Sequence, residues 1–264
     1  MNELTQKEMH ALRYYEGIPD CLDKGDPFWS DQKAYVTFNS LFFDGIETET
    51  ARSQENRKLN PAIALERDKA LALTASLLSC CQKYEHGAIR CSRVERLIDY
   101  QKFRTAGMFT SFISTSRNGY LRSYQDKHDL VLMDIEITAK APCCDLIAMM
   151  PRNEKSAEGE VLIAPYTEIE VHEGPVPQDL QKIVDGNGRS PAVYCHVKVG
   201  SYSHRDGTAA EKISSAQKEA VRNLYHALNM HAVPKEEDIA LYLSSKKSFQ
   251  TDVFSLLQKI QRNL

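Results

Sequence analysis

The sequence predicts an α+β protein, in which helical segments precede and follow a central region of short β-strands. Three observations predict this class. Apolar residues recur at helical spacing in the first third of the chain, alternate with polar residues across the middle, and return to helical spacing towards the C-terminus. We therefore expect a helical N-terminal segment at 1–84, a β core at 85–204 and a helical C-terminal segment at 205–264.

The clearest N-terminal helix is predicted to begin at Asn60 and Pro61 and to end near Tyr84. Asn is a good N-cap, and Pro suits the first helical position because no backbone donor is needed there. A broad apolar face follows these two residues, which indicates a packed helix. The aromatic-rich stretch 27–45 is expected to be irregular or to form a helix that packs on the next domain.

The middle of the chain predicts short strands separated by Gly, Pro and Asn. We expect strands at 88–91, 109–114, 130–138, 146–150, 160–164, 168–172 and 192–199. After them, three apolar stripes near 216–228, 239–243 and 249–260, with Pro234 between the first two, predict helices. Their apolar faces are interpreted as packing surfaces.

Composition excludes several classes of function. Lys and Arg number 33 against 36 Asp and Glu, so a net charge of −3 gives no electrostatic basis for non-specific nucleic-acid binding. No apolar run approaches the roughly 20 residues of a membrane-spanning helix, and the start of the chain is too polar for a secretory signal. Seven cysteines without a CxxC pair favour a reducing compartment, so a cytoplasmic place of action is expected.

Three polar motifs lie within predicted strands or at their ends. Arg90 lies in the first strand, Ser114–Ser116 closes the second, and Glu158 and Glu160 enter a later one. Each motif alone has an ordinary explanation: a surface ion pair, a strand end or cap, and a solvated strand face. Because residues two apart on a strand share a face, the two carboxylates are expected side by side at a loop-to-strand junction, which catalytic groups favour.

Together, in this order, the motifs resemble those of the arginine–serine–glutamate clade of mono-ADP-ribosyltransferases, which includes binary actin-modifying toxins and injected bacterial effectors. That clade has an Arg on the first core strand, Ser-Thr-Ser on a following strand and Glu-x-Glu at the entry to a later strand. The resemblance covers about residues 86–200 and implies a core of two packed, mostly antiparallel small sheets. Cys91 stands where the family commonly has Gly, and Arg93 and Arg96 are alternatives to Arg90.

The resemblance implies that the chain cleaves NAD, as a substrate, at the bond between nicotinamide and ribose and transfers ADP-ribose to a protein side chain, chiefly arginine. No metal is implied. Glu160 would favour the cation-like transition state, and Glu158 would orient the acceptor. Arg90 would bind the pyrophosphate, consistent with the absence of a glycine-rich phosphate loop.

The resemblance also implies that the hydroxyls of Ser114, Thr115 and Ser116 lie at the NAD site. Ser114 would position Glu160 by a hydrogen bond. Tyr124 stands where many family members place an aromatic ring against nicotinamide, and a packed strand-edge tyrosine is the equal alternative.

Two other functions stay open at this point: an NAD glycohydrolase of the same fold, which uses water as acceptor, and an interaction module whose site has decayed. The apolar helical stripes of 205–264 also allow a host protein to dock and activate the enzyme. By analogy with injected effectors, the place of action would be the cytosol of a host cell.

Overall fold

The computed structural model describes residues 3–16, 67–120, 130–150, 159–183, 188–202, 214–229, 232 and 234–244. The predictions for 27–45, for Asn60 and Pro61, and for 249–260 fall outside these residues. The chain forms two compact units, one of residues 81–204 together with residue 1 and the other of residues 2–80 with 205–264.

One eight-stranded sheet forms the centre of the first unit. Its strands are, in chain order, β1 (Ile89–Arg96), β2 (Met108–Phe109), β3 (Ile113–Ser116), β4 (Leu130–Ile137), β5 (Cys143–Asp145), β6 (Glu160–Ile163), β7 (Thr167–Gly174) and β8 (Val193–Tyr202). Their order across the sheet is β2-β7-β8-β4-β1-β3-β6-β5, and only β4 and β8 pair in parallel among these described strands. The predicted α+β class is confirmed.

The two small sheets expected from the sequence are joined into one. Strands β3, β6 and β5 form one end, and the other five strands form the rest. The junction is narrow, since β1 and β3 are paired only at Ser92 and Ser116, whereas β1 and β4 are paired from Ile89 to Arg96. The residues proposed for the site lie on both sides of this junction.

Six α-helices occur in the described residues: α1 (Gln6–Tyr15), α2 (Arg67–Lys83), α3 (Leu97–Ala106), α4 (Leu146–Met149), α5 (Ser215–Asn229) and α6 (Glu236–Ser244). The end of α2 agrees with the predicted end near Tyr84, and Pro234 lies between α5 and α6 as expected. The sequence did not predict α3, which ends at Gly107 with a left-handed φ of 67°. None of the described helices is long and apolar enough to cross a membrane.

Two predicted strands differ in the structure. The strand expected at 109–114 is interrupted, so Ser114–Ser116 lies within β3 instead of following a strand. The strand expected at 146–150 is wrong, because Leu146–Met149 forms the short helix α4. Asp145 caps this helix, since one carboxylate oxygen accepts hydrogen bonds from the backbone N–H groups of Ile147 and Ala148 at 3.0 and 3.1 Å.

Strand β4 runs through the core of the first unit. Six of the eight residues of β4 are buried, so both faces of the strand are largely covered. The two exceptions are Asp134 and Glu136, which share one face. A strand buried on both sides ordinarily has an unbroken apolar run. The two acids therefore mark the part of the sheet that stays open to polar groups.

Candidate functional site

Five polar residues form one row across five neighbouring strands. Ser92 of β1 is opposite Ser116 of β3, which is opposite Glu160 of β6. In the other direction Ser92 is opposite Asp134 of β4, which is opposite His196 of β8. Residues directly opposite one another point to the same face of a sheet. We call these five residues the polar row.

Ser114 lies beside the polar row. It is opposite Leu162, whereas Ser116 is opposite Glu160. Both serines point to the same face because they are two residues apart on β3. The register therefore places Ser116 directly opposite Glu160, and the hydrogen bond expected from Ser114 to Glu160 stays a prediction.

Thr115 points to the opposite face of β3 from these serines. It is buried, and its hydroxyl donates a hydrogen bond of 2.8 Å to the backbone carbonyl of Val161. Burial raises the pKa of the nearby Cys91 thiol, which a hydrogen bond with Thr115 opposes. The structure thus separates Thr115 from the side chains with which the sequence pattern grouped it.

Glu160 is almost buried, at 9 % exposed, and its carboxylate has no hydrogen-bond or ion-pair partner among the described residues. Buried charges are ordinarily paired, because leaving water without a partner is costly. The absence of a partner within the described chain suits a group that meets a cationic or hydroxyl-bearing ligand.

The arginines of β1 differ in what they contact. Arg93 forms an ion pair with Glu95 at 2.6 Å, and Arg96 forms one with Asp99 at 2.5 Å. Both acids are buried. Arg90 is exposed, and no described residue forms an ion pair or hydrogen bond with its side chain. Arg90 is therefore the guanidinium of β1 that is available to an anion.

Arg90 shares a face with the polar row, because it lies two residues from Ser92 on the same strand. Opposite it on β4 is Glu136, which is also exposed. On the sheet face, Arg90 thus lies between the strand of Asp134 and the strands of Ser116 and Glu160.

Gly159 precedes β6 in a left-handed backbone conformation. Its φ is +61°, and β6 begins only at Glu160. The same-face rule for residues two apart requires extended backbone between them, so it does not apply across Gly159. Glu158 lies outside the described residues, so the expectation that the two carboxylates stand side by side stays a prediction.

The turn after β3 holds Gly159 in place. The backbone N–H of Arg117 donates to the Gly159 carbonyl at 3.0 Å, and a Cβ at residue 159 would lie 3.1 Å from the side-chain nitrogen of Asn118. Arg117 also forms an ion pair of 2.6 Å with Asp145, the cap of α4. The entry to β6 is thus held by the turn after β3, and that turn is itself tied to the cap of α4.

A network around Asp134 was missed by the sequence analysis. The hydroxyl of Tyr120 donates to one oxygen of Asp134, and the hydroxyl of Tyr194 donates to the other at 2.7 Å. Burial, followed by the bond to Asp134, raises the pKa of Tyr194 to about 12, so this hydroxyl stays a donor at neutral pH. The available signal was an acid within a strand whose neighbours are nearly all apolar.

Two predicted site residues, Glu158 and Tyr124, fall outside the residues that the structure describes. Within the described ranges, no group of three or more His, Cys, Asp and Glu side chains is arranged to hold a metal ion.

No protein-family model matches the chain, and no curated protein matches it. Solved structures with a similar fold include an ADP-ribosylating toxin of a binary enterotoxin of C. perfringens, with NADH, at a TM-score of 0.46 and 13% identity. They also include an ADP-ribosyltransferase from Clostridium botulinum, at 0.43 and 13%, and the Salmonella SpvB ATR domain, at 0.39 and 13%. The matches cover 75%, 75% and 74% of this chain, and 44%, 88% and 99% of those chains.

Proposed function

We propose that the chain is a mono-ADP-ribosyltransferase that cleaves NAD at the bond between nicotinamide and ribose. The ADP-ribose is transferred to a protein side chain, with arginine as the favoured acceptor. The observation on which this proposal depends is the carboxylate of Glu160: nearly buried, without a partner in the described chain, and on the same sheet face as Arg90.

The chemistry requires a negative charge at the position of Glu160. Breaking the bond to nicotinamide passes through a transition state with oxocarbenium character, as in glycoside hydrolysis. Nicotinamide leaves as a neutral molecule, so no acid has to protonate it. A carboxylate held in place beforehand stabilises the developing cation without having to reorganise. The contacts that fix the start of β6 supply this rigidity.

Arg90 is proposed to bind the pyrophosphate. A guanidinium can donate two parallel hydrogen bonds to a phosphate. Since Arg93 and Arg96 are already in ion pairs with Glu95 and Asp99, recruiting either of them would leave a buried acid without its partner. Binding a phosphate through Arg90 leaves no described acid unpaired, which favours Arg90 over the other two arginines of β1.

The remaining roles follow the family resemblance and the register. Ser116, opposite Glu160, and Ser114, on the same face, would contact the nicotinamide ribose and orient the carboxylate. Glu158 would orient the acceptor guanidinium, whose pKa above about 12 makes early deprotonation unfavourable. Tyr124 would contact the nicotinamide ring.

The test is incubation of the full chain with NAD and agmatine, a small guanidine acceptor, with nicotinamide and ADP-ribosyl-agmatine measured separately. We expect both products from the wild type and both formed about 10²–10³-fold more slowly by Glu160→Gln. Nicotinamide with free ADP-ribose alone would indicate a glycohydrolase instead. Absence of both products, in the presence of a cell lysate as well as agmatine, would indicate an inactive binding module.

A further inference from the structure

The geometry points to a second carboxylate that binds ribose: we propose that Asp134 accepts hydrogen bonds from the 2′- and 3′-hydroxyls of the adenosine ribose of NAD. This rests on the proposed function, in which Glu160 lies at the nicotinamide ribose. Asp134 and Glu160 are members of the same polar row, separated along it only by Ser92 and Ser116.

The carboxylate of Asp134 is held ready for a ligand. Tyr120 and Tyr194 each donate to a different oxygen, so the plane of the carboxylate is fixed. The side chain is nevertheless 39 % exposed, and each carboxylate oxygen can accept more than one hydrogen bond. An ionised carboxylate is an acceptor only, and a vicinal diol offers two donors. This is the chemistry by which acidic residues bind ribose hydroxyls in dinucleotide sites.

The spacing of the polar row fits a dinucleotide. Three strand-to-strand steps separate Asp134 from Glu160, which is roughly 14 Å at about 4.8 Å per step. Arg90 lies on β1, one of the two strands between them, on the same face. The order along the sheet is thus carboxylate, guanidinium, carboxylate. NAD has the complementary order of ribose, pyrophosphate, ribose.

An apolar wall adjoins Asp134 along the strands, two residues from the polar row and on the side opposite Arg90. Val94, Leu132 and Tyr194 are buried together there, and Tyr120, Val176 and Leu180 pack against them. The ring of His196 stands edge to face with Tyr194, at 5.1 Å between centroids, and is largely exposed. Apolar and aromatic surface next to a diol-binding acid suits the flat base of a nucleoside.

The first test changes only the ligand and therefore needs no altered protein. ADP-ribose is the probe, because it has both riboses and no nicotinamide bond to cleave. We expect the wild type to bind the analogues that lack the adenosine 2′- or 3′-hydroxyl about tenfold more weakly, as for loss of a hydrogen bond to a charged group. Equal affinities by titration calorimetry would overturn the proposal.

The second test uses Asp134→Asn, which preserves shape but removes the charge, with Glu168→Gln on β7 as the matched control. We expect Asp134→Asn to weaken ADP-ribose binding about tenfold, to abolish discrimination among the analogues, and to leave nicotinamide mononucleotide binding unchanged, since that molecule has no adenosine. The assignment is contradicted if Asp134→Asn weakens the binding of ADP-ribose and of nicotinamide mononucleotide equally, or if it still discriminates among the ADP-ribose analogues. Should Asp134→Asn fail to fold, the ligand series decides alone.

These readouts separate the two proposals. Binding of the ADP-ribose series measures the Asp134 site, whereas release of nicotinamide measures the proposed reaction. Discrimination among the analogues without any nicotinamide release would support the ribose site and overturn the enzyme. Nicotinamide release without discrimination among the analogues would support the enzyme and overturn the ribose site.

Discussion

The arginines at the two ends of β1 differ in burial and in whether they are paired with an acid. Near its C-terminal end, Arg93 and Arg96 are largely buried, and each is paired with an acid that is at most 5% exposed. Near its N-terminal end, Arg90 is exposed and has no described partner. Charges that support the fold are paired within the chain, because an unpaired buried charge is costly. A charge without a partner contributes little to folding and is available for function.

Glu160 gives the largest expected effect and tests this contrast directly. Because its carboxylate is nearly buried without a described partner, Glu160→Gln should leave thermal stability unchanged or raise it, while lowering kcat for nicotinamide release by about 10²–10³-fold. Melting temperature and initial rates measure the two properties. Wild-type turnover in this variant would refute the catalytic assignment, and a large loss of stability would show that the carboxylate supports the fold.

The next largest effects come from substituting Arg93 and Arg90, which are expected to change stability and NAD affinity, respectively. Arg93→Ala leaves the carboxylate of Glu95 buried without its partner, so we expect the free energy of unfolding to fall by about 3 kcal/mol. Arg90→Ala should leave unfolding nearly unchanged and raise the Kd for NAD at least about tenfold. Urea unfolding and calorimetry check both. The comparison fails if Arg93→Ala is the variant that loses NAD affinity at unchanged stability.

Gly159 tests whether the entry to β6 must adopt its observed conformation. With φ at +61° and Asn118 3.1 Å from a new Cβ, Gly159→Ala should cost about 1–2 kcal/mol of stability. It should also lower kcat, because Glu160 follows directly. Gly87→Ala is the control, since nothing lies within 4 Å of its Cβ position. Equal effects of the two substitutions would show that the conformation at 159 is unimportant.

Tyr194 gives the smallest effect, confined to alkaline pH. Its pKa rises from 10.0 to about 12 on folding, so between these values the unfolded state ionises first and wild-type stability falls as pH rises. Tyr194→Phe lacks this ionisation but also lacks the bond to the carboxylate of Asp134, worth about 1.5–3 kcal/mol at neutral pH. Its stability deficit should therefore shrink from pH 10 to 12. Unfolding at several pH values measures this, and a constant deficit would contradict it.

Local patterns predicted the elements whose side chains alternate regularly. Strand β4 was expected at 130–138 and occurs at Leu130–Ile137, because an apolar run at 130–133 continues into alternating apolar and polar residues at 133–137. The segment 146–150 was misassigned because a short apolar run does not distinguish a strand from a helix, and the cap at Asp145 decided it. Helix α3 was missed because its apolar residues follow a strand with no loop between them.

The order of Arg90, Ser114–Ser116 and Glu160 along the chain was enough to suggest NAD chemistry, because the types of residue and their sequence order are properties of the chain alone. The cross-strand register was not accessible in this way. Pairing Ser116 with Glu160, bringing Asp134 into the same row and turning Thr115 to the other face all depend on contacts between distant segments. A shift of one residue in strand pairing moves every side chain to the opposite face, so only the folded sheet determines which polar groups meet.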